Sequence, residues 1–444
     1  MTQARKVHIE TYGCQMNFSD SEIVASILTD HGYDFTDDVK EADIIFVNTC
    51  SIRENAEDRV RKRLQYFRSL RKKRTGLVIG LLGCMADRTR NALMDEEQLL
   101  DLIAGPDSYR HLPQLLEQAG TGQRAIDTIL SMEETYADIT PVRLDSNGVS
   151  AFISIMRGCE NYCSYCVVPS TRGQERSRDA ASIIRETGDL FEKGYREVTL
   201  LGQNVNSYSW TSNSETISFA RLLDQVASVN PLMRIRFATS HPKDISEELL
   251  HTMAKHANLC KAIHLPVQSG SNHMLDLMNR KYTREDYQAR IEAIRRILPG
   301  CAISTDIIAG FCNETESDHR DTLSLMEWVG YEAAFMFKYS ERPDTLAADT
   351  LNDNVPETIK ELRLTEIIDL QQRLSLASNQ NDIGKVFEVL IEGKSKRSDN
   401  QYFGRNTHNK VVVFNKTGSG PGTYVHVKIT SASSATLLGE IVPM

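Results

Sequence analysis

Short apolar runs alternate with helical patterns along most of the chain, and the first of these runs end directly on cysteines. Near the start, 6–11, 44–48 and 77–82 read as strands, with helix candidates between them. Ser19 and Ser21 sit near the front of the first helix, and a basic run from Arg59 fills the second. This βαβαβ order predicts a parallel sheet joined by right-handed crossovers. Ligands of such sheets gather beyond the carboxyl ends of the strands. Each run leads into a cysteine, within Tyr12-Gly13-Cys14, Asn48-Thr49-Cys50 and Leu82-Gly83-Cys84, so three distant thiols can converge on one point there.

A connector at 138–149, with Pro141, Asn147 and Gly148, precedes a second repetition. Strand-like runs at 151–156, 197–201, 234–238, 262–266, 302–308 and 333–339 are separated by helical patterns. Six β/α units without a seventh or eighth predict an open partial barrel whose reactive centre lies at the carboxyl ends of its strands. A long helical stretch, 356–378, then leads to alternating runs at 385–392, 410–414, 423–429 and 437–442, the pattern of a small antiparallel barrel. The expected fold is α/β: a parallel-sheet domain over 1–140, a partial (β/α)6 barrel over 149–378, and a small antiparallel β-barrel over 379–444.

The length of 444 residues supports this, since a single domain holds roughly 100 to 200. The longest apolar stretch near the front, 77–83, is far short of the roughly 20 residues that span a bilayer. Residues 1–6 lead into no signal-like segment, so a cytoplasmic protein with no membrane partner is expected. Nine cysteines in a reducing compartment point to metal binding or catalysis, not a disulfide framework. The net charge of −9 hides an uneven distribution: 59–74 carries nine basic residues and no acid, and 384–428 carries eight against Glu388, Glu392 and Asp399. Both stretches can bind a polyanion, and the C-terminal barrel is an RNA-binding type of module by size and charge.

Cys159-Glu-Asn-Tyr-Cys163-Ser-Tyr-Cys166 places three thiolates in one loop after a strand, with the spacing C-x3-C-x2-C. A four-iron cluster normally takes four cysteines, so this triple leaves one iron open to an external chelating ligand. S-adenosylmethionine fits, because its amino and carboxylate groups can chelate that iron while an electron from the cluster cleaves its sulfonium to a 5'-deoxyadenosyl radical. Structural zinc wants four closed ligands, commonly as two paired sets, and matches this single triple poorly.

Here the chain resembles the methylthiotransferases of the radical-SAM superfamily, across all its expected domains. The resemblance rests on Thr11-Tyr-Gly-Cys-Gln-Met-Asn17, Asn48-Thr-Cys-Ser-Ile-Arg-Glu54, Gly83-Cys-Met-Ala-Asp-Arg88, Arg157-Gly-Cys159, Cys166-Val-Val-Pro169, Thr171-Arg-Gly173 and His264-Leu-Pro-Val-Gln-Ser-Gly270. The segments around the six cysteines are similar to the MiaB type, which methylthiolates adenosine beside the anticodon of tRNA. The resemblance implies an N-terminal methylthiotransferase domain, a radical-SAM core and a C-terminal TRAM domain. It implies two 4Fe-4S clusters, the core one on Cys159, Cys163 and Cys166 and an auxiliary one on Cys14, Cys50 and Cys84 whose free iron carries the sulfur to be transferred. Radical-SAM enzymes commonly recognise the methionine amino group where Gln203 stands, and place a residue against the adenine where Tyr165 stands. Where the family usually shows Phe-Pro-Gly-Glu-Thr, this chain reads Phe311-Cys-Asn-Glu-Thr315. Cys260, Cys301 and Cys312 match no ligand motif and read as core or free thiols.

The implied reaction uses one S-adenosylmethionine as methyl donor and another as radical source, and methylthiolates C2 of an isopentenylated adenosine. An inert aromatic carbon calls for radical chemistry, which belongs to the cofactor while the protein positions. The implied partners are a tRNA anticodon stem-loop, an electron donor such as a flavodoxin or ferredoxin, and cluster-repair proteins. Rival readings are a methylthiotransferase for threonylcarbamoyl-adenosine or for a ribosomal protein, and an iron-sulfur RNA-binding regulator without turnover. Gln15-Met16-Asn17 favours the isopentenyl-adenosine reading over the other methylthiotransferases, and the open-site core triple argues against the regulator.

Overall fold

The computed structural model describes residues 4–50, 54–88, 100–144, 147–212, 215–416 and 418–443. Ser51, Ile52 and Arg53 of the second cysteine motif lie outside the described residues. The chain forms two compact units, Met1–Asp145 with Met156–Glu160 and Cys166–Arg178, and Ser146–Ile155 with Asn161–Tyr165 and Asp179–Met444.

In the first unit, β1 (Lys6–Tyr12), β2 (Asp34–Phe35), β3 (Ile44–Thr49), β4 (Val78–Leu82), β5 (Leu102–Ala104) and β6 (Ala125–Asp127) form one sheet in the order β2-β1-β3-β4-β5-β6. Every pairing is parallel. All residues of β3 and β4 are buried, as a parallel strand covered on both faces requires. Alternation along β3 splits its side chains between two cores. Ile44 and Phe46 pack with Ile23, Val24 and Leu28 of the helix Gln15–Asp30, whereas Ile45 and Val47 pack with Val60, Leu64 and Phe67 of the helix Glu54–Arg71. The sequence pattern shows only β1, β3 and β4; the others, at two or three residues, are too short for a periodic signal.

The second unit holds the expected partial barrel. Ser150–Ser154, Glu197–Leu201 and Arg234–Phe237 form one parallel sheet, and Ala262–His264, Ala302–Ala309 and Ala333–Lys338 form another. A parallel bridge between Ile235 and Leu259 links the third strand to the segment entering the fourth. Helix starts are written in the sequence: Asp179, Ser218, Ser246, Ser271, Thr283 and Thr315 each accept a backbone N–H of the first turn. The hairpin of Ser209–Ser212 with Glu215–Ser218 is an addition to the expected pattern.

The C-terminal barrel closes through five strands, Val386–Lys394, Gln401–Asn406, Val411–Asn415, Leu437–Ile441 and Tyr424–Ala432, around a core including Val389, Ile391, Val412, Phe414 and Val427. Two details differ from expectation. Gln401–Asn406 is a strand that its polar ends and Gly404 conceal, and Val411–Asn415 pairs with Leu437–Ile441 in parallel. Among the described residues no helix is long and apolar enough to cross a membrane.

Candidate metal centre

Because β1, β3 and β4 are neighbours running the same way, their carboxyl ends stand side by side, and each delivers a cysteine. Cys14 is the N-cap of the helix Gln15–Asp30, Cys50 follows β3 directly, and Cys84 opens the short helix Cys84–Arg88. Glycines let the turns close. Gly13 has φ +143°, and a Cβ there would stand 2.7 Å from Cys50 Cβ; Gly83 has φ +87°, and a Cβ there would strike Asn48 Oδ1.

Two buried asparagines tie these turns together. Asn17 Nδ2 donates to Asn48 Oδ1 at 3.1 Å, and Asn48 Nδ2 donates to Asn17 O and Ser21 Oγ, both at 2.9 Å. Asn17 Oδ1 accepts from the Cys14 backbone N–H and its thiol, both at 3.3 Å. A hydrogen bond with Cys50 lowers the Cys14 thiol to about 6, and the charge of Arg172 helps against the opposing effect of burial. Burial pushes the Cys84 thiol up.

Arg172 Nε donates to Cys84 Sγ at 3.2 Å, and its Nη2 donates to Asp20 Oδ2 at 2.7 Å. The other Asp20 oxygen accepts from Arg157 Nη1 at 2.9 Å. Arg176 completes the layer by pairing with Asp107 at 3.0 Å. Three buried guanidiniums thus face two buried carboxylates, an excess of positive charge that suits an anionic group on the thiols. Arg172 Nη1 is buried without a partner in the protein.

The core triple sits on a loop whose base, in the first unit, is closed by antiparallel pairing of Met156 and Arg157 with Ser177 and Arg176. Cys159 N donates to Gly173 O at 3.2 Å, and Gly158, at φ +80°, allows Gln174 O an approach that any Cβ would block. Cys163 belongs to the second unit. There the turn 278–281 holds its segment: Ser164 N donates to Met278 O at 3.1 Å and Asn279 Nδ2 donates to Tyr162 O at 2.7 Å. Arg280 Nη1 donates to Cys163 Sγ at 3.1 Å and to Tyr165 Oη at 3.4 Å, while Nη2 donates to Pro266 O at 2.7 Å. Each triple therefore has one buried arginine on one of its sulfurs. Arg172 lies in a segment quoted for the resemblance, but nothing in its spacing marked its partner, and no motif marked Arg280.

Among the described residues, no three His, Cys, Asp or Glu side chains are gathered for a single metal ion, and none of the nine cysteines is joined in a disulfide. A four-iron cluster asks instead for thiols set around a larger core of iron and sulfide. The thiol donors, close turns, guanidinium donors and positive excess at Cys14, Cys50 and Cys84 fit such a group.

The carboxyl ends of the barrel strands carry buried polar atoms without partners, including Gln203 Oε1, Asn204 Oδ1, Ser240 Oγ and His241 Nε2. Such atoms suit a polar ligand like S-adenosylmethionine. Thr239 and Gln268 hold φ of +71° and +72° beside them, the sort of backbone strain that collects at functional sites. Burial lowers His241 to about 2, aided by Arg280 and Lys243, so it is neutral. Its Nδ1 accepts from Lys243 N, which leaves the proton on Nε2 as a donor. His241 was missed by sequence reasoning; its sole signal is its place just past a strand, before Pro242. Tyr165 packs edge-on against Phe311, with centroids 6.3 Å apart, besides its bond to Arg280. In the departing segment, Asn313 adopts φ +63°, a conformation asparagine tolerates, and Glu314 accepts from Gly310 N at 2.8 Å. Cys260, Cys301 and Cys312 are buried, and burial raises all three thiols.

Comparison with known proteins agrees with this arrangement. Family profiles match Uncharacterized protein family UPF0004 over 6–105, the Radical SAM superfamily over 153–326 and the TRAM domain over 380–442. A relative from Amoebophilus asiaticus is 57% identical, covering 99% of this chain and 93% of its own. One from Parabacteroides distasonis is 58% identical over 98% and 95%, and one from Chloroherpeton thalassium 58% over 99% and 96%. All three are named tRNA-2-methylthio-N(6)-dimethylallyladenosine synthase. Among solved structures, the radical S-adenosylmethionine methyltransferase TsrM from Kitasatospora setae shares the fold with a TM-score of 0.57 at 16% identity, over 78% of this chain and 74% of that one. The chain is thus a member of the radical-SAM superfamily and, within it, of the tRNA-2-methylthio-N(6)-dimethylallyladenosine synthase family.

Proposed function

We propose that this chain methylthiolates C2 of a dimethylallylated adenosine next to the anticodon of tRNA, as a cytoplasmic enzyme with two four-iron clusters. The observation that carries the reading is the pair of separate cysteine triples, each with a buried arginine on one sulfur, in a chain matching the synthases along nearly its whole length. Cys159, Cys163 and Cys166 would hold the core cluster, and Cys14, Cys50 and Cys84 the auxiliary one. When bound, these groups and S-adenosylmethionine supply reductive cleavage of a sulfonium to a carbon radical and a methylated sulfur for transfer.

The chain's own residues position and shield. Gln203 and the neutral His241 would offer an acceptor and a donor to the polar end of S-adenosylmethionine, and Tyr165 would stand on its adenine side, as the resemblance implies. Arg280 ties Cys163 and Tyr165 to the backbone of Pro266, so the cysteine and the adenine-side ring are held by one guanidinium. The exposed side chains of Arg59, Lys62, Arg68, Lys72 and Lys73, and of Lys394, Lys396, Arg397 and Lys428, are available to tRNA phosphates. A working division into 1–140, 149–378 and 379–444 assigns the auxiliary site, the radical core and an RNA-holding barrel to successive segments. A flavodoxin or ferredoxin would deliver electrons, and cluster-repair proteins would restore consumed sulfur.

Relatives at this identity carry the dimethylallyladenosine name, which favours that substrate over threonylcarbamoyl-adenosine or a ribosomal protein. The test is mass spectrometry of tRNA nucleosides from a strain lacking the gene. The methylthio derivative of dimethylallyladenosine should vanish and its unthiolated precursor accumulate; unchanged content would refute the assignment. A regulator without turnover would be indicated if reconstituted, reduced protein released no 5'-deoxyadenosine from S-adenosylmethionine.

A further inference from the structure

We infer that Arg172 is a positioning residue for the metal group on Cys14, Cys50 and Cys84, donating a charged hydrogen bond to its thiolate and setting its reduction potential. The inference rests on the proposal that this triple holds a cluster.

The geometry is that of a donor placed for an anion. Arg172 is 3% exposed, and its Nε lies 3.2 Å from Cys84 Sγ. An ion pair alone would not need this arrangement, because Asp20 is already matched by Arg157 through its other oxygen. A second guanidinium on that carboxylate leaves a buried positive charge unbalanced, which is costly unless an anion stands beside it. Besides Asp20, the group facing the guanidinium that becomes anionic when it binds metal is Cys84, whose Sγ already accepts from Nε. Nη1, still without a partner, is a spare donor.

A cluster gains a negative charge on reduction, so a fixed cation and a hydrogen bond at its sulfur favour the reduced form and raise the potential. Asp20 works in the opposite sense, by partly neutralising the guanidinium. The same carboxylate also holds both flanks of the core cysteine loop, since Arg157 lies two residues before Cys159 and Arg172 six after Cys166. Arg172 thereby links the environment of the first triple to the segments of the same unit that carry Cys159 and Cys166.

The test uses the full chain with Cys159, Cys163 and Cys166 changed to alanine, so that only the first triple can be loaded. Iron content, the electron paramagnetic resonance spectrum of the reduced protein and its midpoint potential are then compared with Arg172→Met, Arg172→Lys and Asp20→Asn in the same background. The expected results are a more negative potential and altered g values in Arg172→Met, partial recovery in Arg172→Lys, and a shift to more positive potential in Asp20→Asn. Loss of iron from Arg172→Met that Arg172→Lys restores would support the same role. Retained iron with unchanged potential and spectrum in Arg172→Met overturns the inference. Loss of iron from both arginine variants, with Asp20→Asn at the parent's potential, overturns it too. A parent that binds no iron would instead refute the two-cluster reading on which it rests.

Discussion

At the scale of single residues, the six candidate cysteines could be singled out because thiols at strand ends and in a C-x3-C-x2-C loop stand out in any sequence. The groups that surround them were not, because a guanidinium bond to sulfur joins positions as far apart as Cys84 and Arg172, or Cys163 and Arg280. Changing Cys14, Cys50 and Cys84 together to alanine should lower the iron of anaerobically prepared protein by about four per chain and leave the core cluster in place. Iron and sulfide analysis decides it, and an unchanged content would deny the triple its role. His241 offers a second check. Folded, it stays neutral down to about 2, whereas in the unfolded chain it takes up a proton near 6.5. Its contribution to stability is therefore complete above 6.5 and falls as acid is added, by about 1.4 kcal/mol for each pH unit below that value. On moving from neutral pH to about 5.5, wild type should lose more melting temperature than His241→Gln; equal losses would contradict the neutral assignment.

Among elements, those with strong local grammar matched their expected places. The buried strands β3 and β4 announce themselves by unbroken apolar runs. In the structure the helix from Glu316 opens on a capping box of Thr315 with Asp318. Replacing Thr315 with alanine should cost about 1 kcal/mol, read as a lowered thermal midpoint, because an N–H of the first turn loses its acceptor. Elements that owe their existence to neighbours escaped notice. Gln401–Asn406 becomes a strand because flanking strands complete its ladder, and Gly404 lets Leu390 O approach where any side chain would collide. The parallel seam between Val411–Asn415 and Leu437–Ile441 follows from closure of the barrel, which no local pattern encodes. Gly83→Ala tests an element junction: the added methyl would strike Asn48 at a backbone angle that disfavours alanine, so iron at the first triple should fall while the core triple keeps its own.

For the whole molecule, charge is where reading the sequence alone misleads most. Nine basic residues in 59–74 look like a single positive face, yet the fold spends Arg63 on Glu10, Arg71 on Asp101 and Arg74 on Asp43. The exposed remainder should govern nucleic-acid affinity. Changing Lys62, Arg68 and Lys72 to alanine should weaken anticodon stem-loop binding and flatten its dependence on salt, with iron content unaltered. A filter-binding series at several ionic strengths would show it, and an unaltered salt slope would place the RNA elsewhere. The rims of the first sheet have a consequence of their own. A two-residue strand bounds one side and a three-residue strand the other, so few unsatisfied amides face outward. Stubs of that size give another chain little to zip onto, and newly made protein awaiting its metal is thereby guarded against aggregation.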